Sequence, residues 1–435
     1  MAARETALGA LIACRKQGAW SDGVLKEYTL RDRLDRREAA LASRLCYGVL
    51  QNRQLLDYYL TSLVKGKLKD LQPVVLDILR LGLYQLLFMD KVPPSAAVNE
   101  AVEQGKKYAN VRAAGLINGV LRNALRQKDK LTMPEDLPTR YSHPKELVEL
   151  LAGEMGQEDL ERVLSADNQA PETVAQVNPL RGTLEELHKA VSEAGGTTRD
   201  HPWLPDCCYI SGAGSLEKLE AFREGKFYIQ DAASRLAVRC MGLRPGMRVL
   251  DCCAAPGGKS FAAAMEMKGE GSITSCDIHG HKLALIEKGA ERLGIGIIRT
   301  CQQDASQFVP QWEDTMDAVL VDAPCSGLGI IRKKPDIRYK DLLQTENLPE
   351  IQLKILENQC LYVKKGGVLL YSTCTILRRE NQDVARAFLG KHPEFSLEPL
   401  PLPESMGGGE DGMLTLLPGK YETDGFFICK MRRKP

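Results

Sequence analysis

Asp251-Cys-Cys-Ala-Ala-Pro-Gly-Gly-Lys-Ser260 decides how the chain is to be read. It follows the short apolar run Arg248–Leu250 and leads into a helical stretch rich in Ala and Met. Strand, glycine turn and helix in that order make one βα unit. The glycines let the backbone come close to a ligand, and the helix N-terminus behind them favours a negative group such as a carboxylate. A P-loop would need glycine at position 253, where Cys253 stands, so Gly258-Lys259-Ser260 does not complete a Walker pattern. The loop also lacks the G-x-G-x-x-G of a dinucleotide site. What remains is an adenosine-type ligand without a polyphosphate.

Further along, Ser272–Cys276, Ile297–Thr300, Ala318–Val321 and Val368–Tyr371 are short apolar runs, most of them separated by helical patterns. Such alternation predicts a mostly parallel sheet with helices on both faces, whose ligand lies beyond the carboxyl ends of the strands. Asp277 follows the second run, where a carboxylate can accept from both ribose hydroxyls. Asp304 follows the third and can accept from an adenine amino group. A lone Asp is as often a helix N-cap. Acids after successive strands nevertheless make S-adenosylmethionine the leading cofactor. Its candidate binding residues are Cys253, Ala254, Ala255, Pro256, Gly257, Gly258, Lys259, Asp277, Asp304 and Asp322.

Asp322-Ala-Pro-Cys325-Ser-Gly follows the fourth run, and Tyr371-Ser-Thr-Cys374-Thr closes the fifth. Cys46, Cys240, Cys276 and Cys429 read as buried filler. Cys325 and Cys374 instead lie in strand-end loops, where an exposed thiolate can meet a substrate. Cytosine offers a reason for a thiol there. Its C5 is a poor nucleophile until a thiolate adds to C6, and a carboxyl such as Asp322 can favour the charge that develops on the ring. A second thiol can assist expulsion of the first. This chemistry leaves open which cysteine attacks.

Ahead of this region, residues 1 to about 130 show only helical periodicity, as in Val75, Leu76, Leu79, Leu83 and Leu86. Pro93-Pro94-Ser95 fits a helix start capped by Ser95, and Pro134, Pro138 and Pro144 mark a boundary region. Between them and the sheet lies a small α/β unit, with Thr173–Val177 as its first strand and a helix closed by Gly195-Gly196. The 435 residues therefore divide as an all-α domain over 1–135, linker helices with a small α/β domain over 136–228, and a Rossmann-like α/β domain over 229–435.

A composition of 44% hydrophobic and 26% charged residues is that of a globular protein. No apolar run is long enough to span a bilayer, and Met1-Ala-Ala-Arg-Glu is not the start of a secretory signal, so a cytoplasmic protein is expected. Thirteen cysteines without a C-x-x-C pair, and six scattered histidines, predict reduced thiols and no metal. The net charge of +1 is uninformative, but its distribution is not. Residues 105–130 hold seven Lys or Arg against one Asp, residues 332–340 five against one, and the tail contains Lys430-Met-Arg-Arg-Lys434. Each is a footprint for phosphate or else a solvated face.

With these motifs quoted, the chain resembles the RNA 5-methylcytosine methyltransferases, and within them the ribosomal small-subunit RNA branch called the Sun or Fmu family. Asp251–Lys259, Asp322–Gly327 and Tyr371–Thr375 match that family's motifs, and Ile330–Arg338 looks like the segment following the second. Ala97-Val-Asn-Glu-Ala and Leu116–Asn123 resemble its NusB-like domain. The resemblance implies a class I methyltransferase domain, an RRM-like fold near 170–228, Cys374 as nucleophile and Cys325 as the residue that aids release. It also implies 16S rRNA as partner, with the branch's usual target, cytosine 967. A monomer without membrane attachment is expected. A tRNA or another rRNA site, or a non-catalytic antitermination-type RNA-binding role, are the alternatives, with DNA a weaker one. Cys252-Cys253 departs slightly from the usual single Cys of the loop.

Overall fold

The computed structural model describes residues 2–17 and 20–435. They form two units, Met1–Gln169 with Ile331–Lys340, and Ala170–Ile330 with Asp341–Pro435.

The first unit is helical: α1 (Ala2–Gln17), α2 (Ser21–Arg31), α3 (Arg36–Gln51), α4 (Arg53–Leu63), α5 (Pro73–Phe88), α6 (Pro94–Tyr108), α7 (Val111–Gln127), α8 (Leu137–Arg140), α9 (Lys145–Ala152) and α10 (Gln157–Ala166). Helix α5 is apolar on most of its circumference and supplies Val75, Ile78, Leu79, Leu83 and Leu86 to a core shared with Leu45 and Val49 of α3 and Ile117 and Leu121 of α7. Pro94 occupies the first turn of α6, whose preceding residue is Pro93, and Ser95 does not cap it. Proline needs no cap there, because its missing N–H is one the helix would leave unpaired. Likewise Pro138 lies in the first turn of α8 and Pro144 directly precedes α9. These prolines start helices within the unit, so α8–α10 group with it and not with the middle sheet, unlike the division expected at 135/136.

Ile331–Lys340 completes this helical unit, although in sequence it lies between Cys325 and Cys374. Ile331, Pro335 and Ile337 are buried, and Arg338 is 1% exposed. The guanidinium donates to the carbonyls of Gln51 (2.8 Å), Ser142 (3.1 Å) and Asp167 (3.2 Å) and to Asn168 Oδ1 (2.9 Å), while Tyr339 donates to Leu50 O at 2.7 Å. Gln51 and Asp167 stand at or just past the C-terminal ends of α3 and α10, where carbonyls lack helical partners and a cation is favoured. Arg338 is therefore no phosphate contact, contrary to the reading of 332–340 as one basic footprint. The seven Lys and Arg side chains of 105–130 are all exposed.

The second unit contains two sheets. In the first, β1 (Thr173–Val177), α11 (Leu184–Glu193), β2 (Thr197–Asp200), β3 (Cys207–Ser211), α12 (Glu220–Arg223) and β4 (Phe227–Ile229) make an antiparallel sheet of order β2-β3-β1-β4. This is the expected RRM-like βαββαβ arrangement. It leans on the larger sheet through Asn178, which donates to Leu293 O at 2.8 Å, and through Arg292, which donates to the carbonyls of Phe222 and Phe227.

The larger sheet follows α13 (Ala232–Cys240). Its parallel part is β5 (Arg248–Asp251), α14 (Gly258–Glu266), β6 (Ser272–Asp277), α15 (Gly280–Leu293), β7 (Ile298–Gln302), β8 (Met316–Asp322), α16 (Leu348–Gln359) and β9 (Val363–Thr373). After α17 (Gln382–Lys391) come β10 (Phe395–Leu397), β11 (Met413–Leu416) and β12 (Phe426–Arg433), which pair antiparallel. The order β10-β12-β9-β8-β5-β6-β7 reverses direction of travel at β5, which has β6 on one side and β8 on the other. Ligands of such sheets bind beyond the carboxyl ends at that reversal. The basic tail is thus part of a strand, β12, that lies between β10 and β9. Lys430 pairs with Glu398 at 2.8 Å, Arg432 with the same carboxylate, and Arg433 with Asp314, so the tail is not a free phosphate footprint. Among the described residues no helix is long and apolar enough to cross a membrane.

Candidate active site

Every loop singled out in the sequence emerges at the carboxyl ends of adjacent strands. Register pairs Asp251 with Ser275, Asp277 with Gln302 and Asp322 with Ser372, so the ends are level. After β5 the chain turns through Cys253–Pro256, with Ala254 N donating to Cys276 O at 2.7 Å and Gly257 N to Ala254 O at 2.7 Å. Gly257 has φ +107° and precedes α14, a conformation that L side chains avoid. A Cβ there would stand 2.6 Å from the Phe261 ring, and one on Gly258 would stand 2.7 Å from Gln230. Backbone, not side chain, therefore lines this turn at the N-terminus of α14. Such a turn suits the carboxylate end of an amino-acid-bearing nucleoside.

Asp277 ends β6 and accepts from His279 N at 2.8 Å, while Asp304 follows β7 and accepts from Ser306 N at 2.9 Å. Both carboxylates thus shape the turns they stand in. Lys259 does not point to a phosphate. Its ammonium donates to Asp322 Oδ2 at 2.7 Å and lies over the Phe426 ring, while Ser372 donates to Asp322 Oδ1 at 2.8 Å. Ser372 went unnoticed in the sequence, though it lies within the Tyr371–Thr375 motif.

Cys325 and Cys374 bring their sulfurs to 3.3 Å. Their loops are tied backbone to backbone, Ala323 N to Ser372 O and Gly329 N to Cys374 O, both at 3.0 Å. Gly329 admits the chain at 425 closely, since Gly425 N donates to its carbonyl at 2.7 Å and a Cβ on Gly329 would stand 2.2 Å from Gly425 O. The two thiols are electrostatically unlike. The sulfur–sulfur hydrogen bond, then burial and the Glu380 carboxylate, hold Cys325 well above the ordinary thiol range. The same hydrogen bond, with the Lys259 charge, draws Cys374 below it despite burial and Asp322. Ionisation is thus favoured at Cys374 over Cys325. The filler cysteines Cys240, Cys276 and Cys429 have their thiols raised chiefly by burial, and Cys46 likewise.

Asp251 lies beneath the loop, fully buried. Its Oδ2 accepts from Ser260 Oγ at 2.7 Å, and Oδ1 has no partner among the described residues. Burial pushes this carboxyl up to about 7, with Asp322 adding to the rise and Ser260 and Lys259 opposing it. In the unfolded chain an Asp ionises near pH 4, so between about pH 4 and 7 the native state holds a proton that the unfolded state has lost. That stability is fully present below about pH 4 and is lost as pH rises through about 7. Asp251→Asn removes the dependence. The wild-type unfolding midpoint is expected to fall relative to that of Asp251→Asn between about pH 5 and pH 8, and parallel midpoints across that range would exclude the shift.

Comparison with known proteins agrees with this geometry. The pattern of the 16S rRNA methyltransferase RsmB/F family matches residues 238–432, that of the NusB family residues 1–126, and that of the RsmF/B-like ferredoxin-like domain residues 143–217. The chain is 39% identical to the probable ribosomal RNA small subunit methyltransferase B of Bacillus subtilis (strain 168), covering 99% of this chain and 98% of that protein. It is 32% identical to ribosomal RNA small subunit methyltransferase B of Klebsiella pneumoniae (strain 342), covering 99% and 98%. Among solved structures, PH0851 superposes with a TM-score of 0.81 at 26% identity over 98% of each chain. NSun6 of Pyrococcus horikoshii, solved with SFG, superposes with a TM-score of 0.59 at 22% identity over 67% of this chain and 98% of its own, a likeness of fold. Full-length identity and three domain matches in order agree: the chain belongs to the RsmB/F family of 16S rRNA methyltransferases, which use S-adenosylmethionine.

Proposed function

We propose that this rRNA methyltransferase acts on C5 of a cytosine in 16S rRNA, the branch's usual cytosine 967, through a covalent bond between Cys374 and C6. The observation that carries this reading is the pair of sulfurs 3.3 Å apart beside the Asp322–Lys259 pair. Methylation of a nitrogen or oxygen needs no thiol. Carbon 5 does, because it must first be made an enamine carbon.

The Cys374 thiolate adds to C6 and forms the S–C6 bond, and the electron pair displaced from the C5–C6 double bond moves into the ring. Asp322, fixed between Lys259 and Ser372, offers a hydrogen-bonding group to the base edge, and the Lys259 charge offsets the negative charge gained by the ring. Cys253, Ala254, Ala255, Pro256, Gly257, Gly258 and Lys259, with Asp277 and Asp304, would hold S-adenosylmethionine, which supplies an electrophilic methyl group to C5. The C5 proton then leaves to a base, the C5–C6 double bond re-forms, and the S–C6 bond breaks to return the thiolate. Cys325, next to the leaving sulfur, stabilises it by donating its S–H. The exposed basic array on α6, α7 and the turn after them fits the RNA backbone.

Cys325→Ala tests this. The variant is expected to accumulate a protein–RNA adduct that survives denaturing electrophoresis, in near-stoichiometric yield, while the double variant with Cys374→Ala shows none. Clean dissociation of Cys325→Ala from RNA would remove Cys325 from the release step.

A further inference from the structure

Behind the cysteines lie two consecutive polar residues that the mechanism above does not use. Glu380 and Asn381 are both 0% exposed. Glu380 Oε2 accepts from Ser326 N at 2.9 Å and from Gln352 Nε2 at 2.9 Å, and the same Gln352 nitrogen donates to Pro324 O at 3.0 Å. The residues on either side of Cys325 are thus both held by this carboxylate, one directly and one through Gln352. Asn381 grips the other loop. Thr373 Oγ1 donates to its Oδ1 at 2.6 Å, and its Nδ2 donates to Thr375 O at 3.0 Å, so the residues on either side of Cys374 are held in turn.

Both side chains forgo an ordinary role. Asn381 stands at the N-cap position of α17 but makes no capping bond to it. Glu380 Oε1 has no partner among the described residues. A buried carboxylate held only by neutral donors costs stability relative to an apolar group of like size. Its charge beside Cys325 also disfavours ionisation of that thiol.

We infer that Glu380 and Asn381 are separate positioning residues for the two steps of the reaction, Glu380 for Cys325 in release and Asn381 for Cys374 in attack. The inference rests on the covalent reading above. A displacement of about 1 Å in such a group costs on the order of 10²-fold in the step it serves.

The test compares Glu380→Ala, Asn381→Ala and Cys325→Ala in the full chain with the rRNA substrate. Single-turnover methylation, steady-state turnover and adduct on a denaturing gel are read together. Glu380→Ala should keep first-turnover methylation within about threefold, lose roughly tenfold or more in turnover, and accumulate adduct. Asn381→Ala should lose methylation and adduct together. Glu380→Gln should recover turnover, because one amide oxygen can accept from both Ser326 and Gln352. If Glu380→Ala does not fold, Gln352→Ala, which frees Pro324 and takes one donor from Glu380 while leaving the Ser326 bond, should show a weaker adduct accumulation. Parallel loss of attack and release in Glu380→Ala, or no recovery in Glu380→Gln, overturns the inference. If Cys325→Ala itself forms no adduct, the release role of Cys325 on which the inference rests fails; if it does and neither Glu380→Ala nor Gln352→Ala does, only the positioning role fails.

Discussion

Cys374→Ala is expected to lower methyl transfer by about four orders of magnitude or more while S-adenosylmethionine binding is kept. On the proposed covalent mechanism the loss is large because the thiol is the bond-forming group, with no neighbour to replace it. Cys325 is 3.3 Å away, but the sulfur–sulfur hydrogen bond, burial and the Glu380 charge all disfavour its ionisation, whereas the Lys259 charge acts at Cys374. Cofactor binding should survive because the turn at 253–257 is built on its own backbone bonds and on β6, not on β9. Single-turnover transfer of labelled methyl and calorimetric cofactor affinity measure the two halves. Residual transfer above about 1% of wild type would assign the attack to another group.

Arg338→Ala is expected to destabilise the helical unit by about 3–5 kcal/mol. The guanidinium satisfies three backbone carbonyls and Asn168 Oδ1, and truncation leaves the buried carbonyls of Ser142 and Asp167 unpaired at roughly 1–3 kcal/mol each before relaxation, with a smaller loss at the half-buried Gln51 and Asn168. Part of that loss is offset because burying the cation was itself costly, as the lowering of its proton affinity by desolvation shows. Lysine should recover little, since a point ammonium cannot reproduce a planar fork of donors. Denaturant unfolding followed by a probe in the helical unit measures this, a single transition not being assumed for a two-unit chain. A change within about 1 kcal/mol would mean that water replaces the guanidinium.

That the 253–257 turn, the two cysteines and the acids gather at level strand ends was legible because each lies within a few positions of a strand end, where short spacing and backbone geometry determine one another. The helical unit was legible from periodicity. What could not be read depends on pairing across long separations. Arg338 looked like one more basic residue in a charged run, and only its partners near positions 51, 142 and 168 make it a buried plug. Lys430, Arg432 and Arg433 looked like a basic tail until β12 set them against Glu398 and Asp314. Their run begins Phe426-Phe-Ile-Cys, a strand signal that charge counting passed over. Glu380, Asn381 and Gln352 belong to no spacing pattern, and they serve the site from below it.

The insertion of 331–340 into the helical unit also sets an order of events during synthesis. Arg338 follows Gln169 by roughly 170 residues, so at about 5–20 residues per second it is made some 10–30 s after the helices whose carbonyls it pairs with. Until then the nascent helical unit waits with an open socket, and translation of the catalytic half is what closes it.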